Sequence, residues 1–354
     1  MIFIRSFKAI LHKSLLAGAC LFMLLPLAAH VAAQTVNDDD ETIKVKSDLV
    51  LLNVGVADPK GRPVIDLAQN DFVVYEDGVR QTIQSFEPTE APFSLVLLLD
   101  MSGSTLNFRT SLKQAATRFI DALGPDDRIA VVTFHAPKKK GHTEDKIETL
   151  APFTTDRRKV YQAINLAEGA GETNFYKALR YSFKELDKEG KRRKAVVVLT
   201  DGVDTELDRE DRIQTASATT NADAIAAIKP EASPVLNSVL NMADQLGVTI
   251  YPMALPSGDP KNFEPLSPPQ AAKYAAARAR LEVLANRTGG QLHDVYHLED
   301  MGRIYAQVAA EMRTLYTIAY QSSAKQHDGK WRAINIAVNR PDLVARTRPG
   351  YYAK

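Results

Sequence analysis

Four short runs of uninterrupted apolar residues, each followed by a stretch of helical periodicity, constrain this chain of 354 residues more than any other feature. They run from Phe93 to Leu99, Arg128 to Phe134, Lys194 to Thr200 and Val248 to Met253, with a weaker fifth from Gly290 to Val295. A strand with one wet face alternates apolar and polar residues; these do not, so each must be covered on both faces. Helical stretches suited to that covering lie at Leu112 to Leu123, Lys159 to Leu166, Phe175 to Leu186, Pro234 to Leu246 and Asp300 to Leu315. The expected unit is an α/β domain over about 93 to 315, a doubly wound and mostly parallel sheet.

The flanks read as β-structure. Leu49 to Val56 is a strand candidate followed by the turn Asp58-Pro59-Lys60-Gly61, and Phe72 to Tyr75 and Val79 to Ile83 flank Glu76-Asp77-Gly78 as a tight hairpin. Beyond Leu315, Tyr316 to Tyr320 and Arg332 to Val338 flank a turn at Asp328-Gly329. We therefore expect a small β-module in which residues 316–354 pair with the linker and strands of 34–90, the α/β domain being inserted between them. Glu206 to Pro230, polar and rich in Ala, Thr and Asp, reads as a surface insertion, either loop or partly ordered helix.

At the start, Arg5, Lys8 and Lys13 precede an apolar run from Leu15 to Ala29, and the small residues Val31-Ala32-Ala33 follow. That pattern predicts a signal peptide over 1–33 and an exported chain, periplasmic or secreted, with no membrane span after cleavage. A retained N-terminal anchor is the competitor, and Leu16-Ala17-Gly18-Ala19-Cys20 only poorly resembles a lipid-attachment site, because the apolar run continues past Cys20. Cys20 is the single cysteine, so a mature chain has no disulfide and must rest on core packing, with or without a metal. The formal net charge of +1 provides no field for nucleic acid or an anionic membrane.

In an open parallel sheet, ligands bind beyond the carboxyl ends of the strands. The first apolar run ends in Asp100-Met101-Ser102-Gly103-Ser104-Thr105, where a carboxylate and two hydroxyls alternate along a loop that Gly103 lets turn. The third ends in Thr200-Asp201-Gly202, and between them Gly169-Ala170-Gly171-Glu172-Thr173-Asn174 brings a further hydroxyl on a glycine-bearing loop. The donors Asp100, Ser102, Ser104, Thr173 and Asp201 are all oxygen, which suits Mg²⁺, remains compatible with Mn²⁺ or Ca²⁺ and disfavours zinc. With two anionic donors the ion keeps positive charge and an open position, so the expected partner is a protein that presents Asp or Glu.

Asp100-x-Ser102-x-Ser104, Thr173 after a glycine turn and Asp201-Gly202 after an apolar strand resemble the metal-ion-dependent adhesion site of von Willebrand factor type A domains. The resemblance spans about 93 to 315, and the Asp77-Gly78 hairpin and Pro349-Gly350-Tyr351 also resemble bacterial exported proteins related to that family. It implies that Ser102 and Ser104 bind the metal directly, that Thr173 does so in a ligand-bound state, and that Asp100 and Asp201 often act through water. Met101, Glu172, Asn174 and Asp204 are the expected rim that grips the partner. The insertion after Asp204 departs from the pattern, and could cover the site or extend its contact surface.

Blander roles compete for several of these residues. Taken alone, Asp-x-Ser-x-Ser after a strand serves equally well as a helix N-cap, and only its order with Thr173 and Asp201 points to metal. His293 and His297 lie about 13 Å apart on an extended strand, too far for one ion. Lys138-Lys139-Lys140, with His135 and His142, reads as a solvated basic loop, and Trp331 as core or edge packing. A phosphohydrolase using Asp100 would need an acid where Ser102 stands, and no Gly-x-Ser-x-Gly turn or phosphate-cradling lysine loop is present. A binding module in adhesion or envelope assembly is therefore the expected function, a scaffold or regulatory subunit the alternative, and a metal-dependent hydrolase the lesser one.

Overall fold

The computed structural model describes residues 49–139, 142–190, 192–255, 266–324 and 328–353. The expected signal peptide and Cys20 lie outside these residues. In chain order the strands and helices are β1 (Leu49–Ala57), β2 (Phe72–Glu76), β3 (Val79–Gln81), β4 (Ile83–Glu87), β5 (Phe93–Asp100), α1 (Arg109–Ala122), β6 (Arg128–His135), β7 (Lys138–Lys139), β8 (His142–Thr143), β9 (Lys146–Thr154), α2 (Arg157–Leu166) and α3 (Phe175–Asp187). Then come β10 (Arg193–Thr200), α4 (Thr205–Gln214), α5 (Asn221–Ala227), α6 (Pro234–Leu246), β11 (Val248–Ala254), α7 (Pro268–Thr288), β12 (His293–Asp294), α8 (Met301–Met312), β13 (Leu315–Gln321), β14 (Trp331–Val338), β15 (Val344–Arg346) and β16 (Gly350–Tyr352).

The central sheet has the order β12-β11-β10-β5-β6-β9, and all its pairings are parallel except β6 with β9. Every residue of β5 is buried, and its side chains divide by parity. Leu95, Leu97 and Leu99 meet Phe119 of α1 and Tyr305 and Met312 of α8, whereas Val96 and Leu98 share a second core with Leu179 of α3, Leu236 of α6 and Leu284 of α7. Covering both faces removes the polar alternation a half-wet strand needs, which is why the apolar runs were uninterrupted.

The flanking strands form two antiparallel sheets, β15-β1-β13-β4 and β16-β14-β2-β3. Leu52, Val54, Phe72, Val74, Ile318, Tyr320, Ile334 and Ile336 fill the core between them. At the hairpin, Asp77 (φ 49°) and Gly78 (φ 80°) both adopt the left-handed conformation that a two-residue turn between twisted strands requires. After Gln81 the chain leaves the sheet of β3, and β4 joins the other beside β13.

Where the α/β domain enters and leaves these sheets, Arg193 at the start of β10 holds both crossings. One guanidinium nitrogen donates to the carbonyls of Thr89 and Ala91 (3.1 and 2.9 Å) and the other to those of Met312 and Leu315 (3.0 and 2.8 Å). The guanidinium also lies 3.9 Å from the centre of the Phe93 ring, and burial lowers its pKa to about 10.

Several elements differ from the expectation. The fifth strand shrinks to the two residues of β12, and α8 ends at Met312. Of the two forms expected for the insertion, the helical one is found: Asp204, Thr220 and Ser233 cap α4, α5 and α6 with their side chains, and Ala224 packs against Ala272 and Ala276 of α7. Sequence reasoning named neither β9 nor α7. Trp331 is half-buried, 5.2 Å edge-on to Tyr352, with Arg287 4.1 Å above its ring.

Candidate metal-binding site

The carboxyl ends of β5 and β10, neighbours at the centre of the sheet, bring the two candidate carboxylates together. Asp100 is fully buried and held from both sides. The Ser102 amide donates to its Oδ1 at 3.0 Å, and the Thr200 hydroxyl, from β10, donates to its Oδ2 at 2.6 Å. Burial, and then the negative charge of nearby Asp201, raises the Asp100 carboxyl to about pH 7. Asp201 is raised as well by burial, against the lowering effect of the Val203 amide (3.1 Å), the Ser104 hydroxyl and the charge of Lys273. Among the described residues neither carboxylate forms an ion pair.

The hydroxyls of Ser102 and Ser104 lie 3.1 Å apart on the same loop. Thr105 shapes that loop, its hydroxyl reaching the carbonyls of Asp100 (2.9 Å) and Ser102 (3.0 Å). The third loop is tied on by its backbone: the Gly103 amide donates to the Gly171 carbonyl at 2.9 Å, and Glu172 exchanges two 2.8 Å hydrogen bonds with Ala136 beyond β6. Arg109, the first residue of α1, donates to the carbonyls of Met101 (2.8 Å) and Gly169 (2.6 Å), joining the first loop to the third. Thr173 is buried, and its backbone is paired with Thr205 at the start of α4 through two hydrogen bonds of 3.1 and 3.0 Å. Asp100, Ser102, Ser104 and Asp201 are thus brought together by hydrogen bonds, and Thr173 follows Gly171, the residue that the Gly103 amide holds.

Glycines allow this closeness. A Cβ on Gly169 would stand 2.6 Å from His135 Nδ1 and 2.7 Å from the Met101 Cβ, and Gly171 has φ 98°. Of the expected rim, Met101 does not face a partner. It is wholly buried in the core beneath the loop, because alternation along β5 continues past Asp100 and turns its side chain inward with Leu97 and Leu99. Glu172, Asn174 and Asp204 do line a cavity of about 250 Å³ beside Thr173. The Asp204 carboxylate accepts from the amides of Glu206 and Leu207 as the cap of α4 and from that of Tyr176, and burial raises its pKa.

Sequence reasoning missed Thr200, Thr105 and Arg109. Thr200 could have been found, since a hydroxyl directly before Asp201 at the end of a strand faces the neighbouring strand's end. Arg109 carried no signal, because a basic residue opening a helix reads as solvated surface. Of the histidines, His135 is buried at the end of β6 against Gly169 of the third loop, whereas His293 Nε2 lies 3.6 Å from Glu311 and His297 is exposed. Lys138–Lys139 and His142–Thr143 form a small hairpin whose side chains lie outside the described residues.

The residues present fit a small hard cation. Burial raises the pKa of both carboxylates, and the charge of Asp201 raises Asp100 further, which suits a place for positive charge, and the side-chain donors gathered there are oxygen. The fold is α/β with a mostly parallel central sheet, and oxygen-bearing side chains gather at the carboxyl ends of its central strands. Residues 95–203 match the family model described as the von Willebrand factor type A domain. Comparison with curated proteins gives no match.

Among solved structures it is similar to a von Willebrand factor type A protein from Catenulispora acidiphila, at 13% identity over 88% of this chain and 64% of that one, with a TM-score of 0.44. It is also similar to the pilus adhesin SpaC from Lactobacillus rhamnosus GG in its open conformation, at 12% identity over 86% of this chain and 47% of that one (TM-score 0.46). The von Willebrand domain of the type V pili tip protein Mfa5 from Porphyromonas gingivalis matches at 13% identity over 62% of this chain and 94% of that one (TM-score 0.43).

Proposed function

We propose that this protein captures a partner protein on the extracytoplasmic side, through a Mg²⁺-type ion held by Asp100, Ser102, Ser104, Thr173 and Asp201. The observation that carries the proposal is the meeting of two buried carboxylates, in no ion pair among the described residues, with two hydroxyls 3.1 Å apart at the ends of adjacent central strands. The bound ion supplies a Lewis-acidic position for an Asp or Glu of the partner, while Mn²⁺ and Ca²⁺ are alternatives of the same donor chemistry. The protein's own residues do the positioning: Thr200 and the Ser102 amide fix Asp100, Ser104 and the Val203 amide hold Asp201, and Arg109 locks the loops together. We assign it a binding role and no catalytic one. Export rests on the N-terminal sequence, and among the described residues no helix is long and apolar enough to cross a membrane.

Calorimetric titration of the chain with Mg²⁺, Mn²⁺ and Ca²⁺, with and without acetate, tests this directly. Saturable binding that is lost in Asp100→Ala, Ser102→Ala is the expected result. Absence of binding even with acetate overturns it. The second proposal, a scaffold whose site is structural, is favoured by the hydrogen bonds with which Asp100 joins β5 to β10. It gains if Asp100→Ala unfolds the protein, and loses if that variant folds but no longer binds its partner.

A further inference from the structure

Among the described residues, the lining of the cavity beside Thr173 carries more negative than positive charge. It includes Asp145, Glu172, Asp204 and Glu206 against two cations, Lys177 and Arg209. Both cations are already engaged there: Lys177 Nζ lies 2.8 Å from Asp145 and 3.7 Å from Glu206, and Arg209 lies 3.2 Å from Glu172. Four carboxylates against two cations leave two negative charges in excess among these residues.

A second observation is independent of the charge. Asn174, only 5% exposed, lines the same cavity, and neither its Oδ1 nor its Nδ2 has a hydrogen-bond partner. A buried amide left unpaired is costly, so an occupant able to bond it gains by entering. The amide oxygen accepts from an ammonium or a guanidinium. At about 250 Å³ the cavity falls below the size that encloses a drug-sized molecule and suits one long side chain.

We propose that this cavity receives a lysine or arginine side chain of the same partner that offers its carboxylate to the metal. The proposal rests on the metal-capture function proposed above, and Thr173 connects the two, since it belongs to the donor set and also lines the cavity. The favoured ligand is therefore not any exposed Asp or Glu but an acidic residue with a basic one close by. Asp145, Glu206 and Asn174 determine that preference, whereas Asp100, Ser102, Ser104 and Asp201 determine whether anything is captured at all.

The test uses the full chain in excess Mg²⁺ and short fluorescent peptides with blocked ends. Each carries one glutamate and, one to four residues away, either lysine or the uncharged norleucine. Fluorescence anisotropy should show the best lysine peptide binding about ten-fold tighter than its norleucine twin. In Asp145→Asn, Glu206→Gln the preference should fall to about two-fold, with calorimetric Mg²⁺ affinity unchanged. Equal, Mg²⁺-dependent binding of both peptides overturns the basic pocket and leaves carboxylate capture standing. A lysine preference that survives in the variant places the reader elsewhere and also overturns it. So does a second Mg²⁺ per chain that the variant loses, since the cavity would then be a cation site, and so does Mg²⁺ binding with no peptide captured. Failure of Mg²⁺ to bind at all defeats the capture function itself, and this inference with it.

Discussion

Without a metal, Asp100 and Asp201 work against the fold, and this gives stability a definite dependence on pH. The Asp100 carboxyl sits near pH 7 in the folded protein and near 3.8 when unfolded, so the folded state holds its proton more tightly. That contribution is complete below pH 4 and lost as pH rises through about 7, with Asp201 acting in the same direction. Thermal melts in EDTA should show this component falling between pH 4 and 7, and Mg²⁺ should restore more stability at pH 8 than at pH 5, where protons compete for the carboxylates. Asp100→Asn should raise the melting temperature in EDTA at pH 8 and abolish the gain from Mg²⁺. An equal gain from Mg²⁺ in that variant would place the ion elsewhere. Gly169→Ala should cost about 1–3 kcal/mol by denaturant titration and weaken metal binding, because its Cβ would push His135 and Met101 apart. At this scale the gathering of Asp100, Ser102, Ser104 and Asp201 at the strand ends was legible, as these residues follow apolar runs. The inward turn of Met101 and the bridging by Arg109 were not, since both depend on what lies across the chain from them.

The elements were legible in proportion to how fully their own surroundings determine them. β5, β6, β10 and β11 lie in the middle of the sheet and were written as apolar runs. β9 is an edge strand that alternates, as in Lys146-Ile147-Glu148, and pairs antiparallel with irregular register, so nothing in its text matched the parallel pattern. The long α7 escaped notice because alanines occupy much of it: Ala271, Ala272, Ala276 and Ala277 pack closely where larger residues would announce a face. Its buried Arg280 pairs with Asp211 of α4 at 2.6 and 2.7 Å, a contact invisible to periodicity. Within β5, Leu97→Ala should cost about 2–5 kcal/mol in urea denaturation, whereas Leu106→Ala, on the exposed turn before α1, should change stability by less than about 0.5 kcal/mol. Similar losses at both positions would mean the central sheet is far less tightly packed than described.

For the whole molecule, the decisive feature is that a single side chain holds both crossings between the α/β domain and the flanking sheets. Arg193→Met keeps much of the volume but strands four carbonyls, and should cost about 2–5 kcal/mol in global stability. Hydrogen exchange should rise first at Ala91 and Leu315, ahead of the centre of β5; uniform protection across these positions would show that the crossings do not depend on Arg193. Composition and charge carried no hint of this residue, because a basic residue opening a strand is indistinguishable in sequence from a surface one.

The strand order has a mechanical consequence. A load applied at the Asp100–Asp201 end and resisted at Leu49 passes through the crossings into β4 and β13, whose near ends carry Glu87 and Leu315. β1 runs antiparallel to β13, with Gly55 beside Leu315 and Leu49 beside Gln321, so the resisting end lies at the far end of the ladder. Tension therefore acts along these two strands in shear, and the seven register pairs from Leu49–Gln321 to Gly55–Leu315 share it at once instead of opening one after another like a zip.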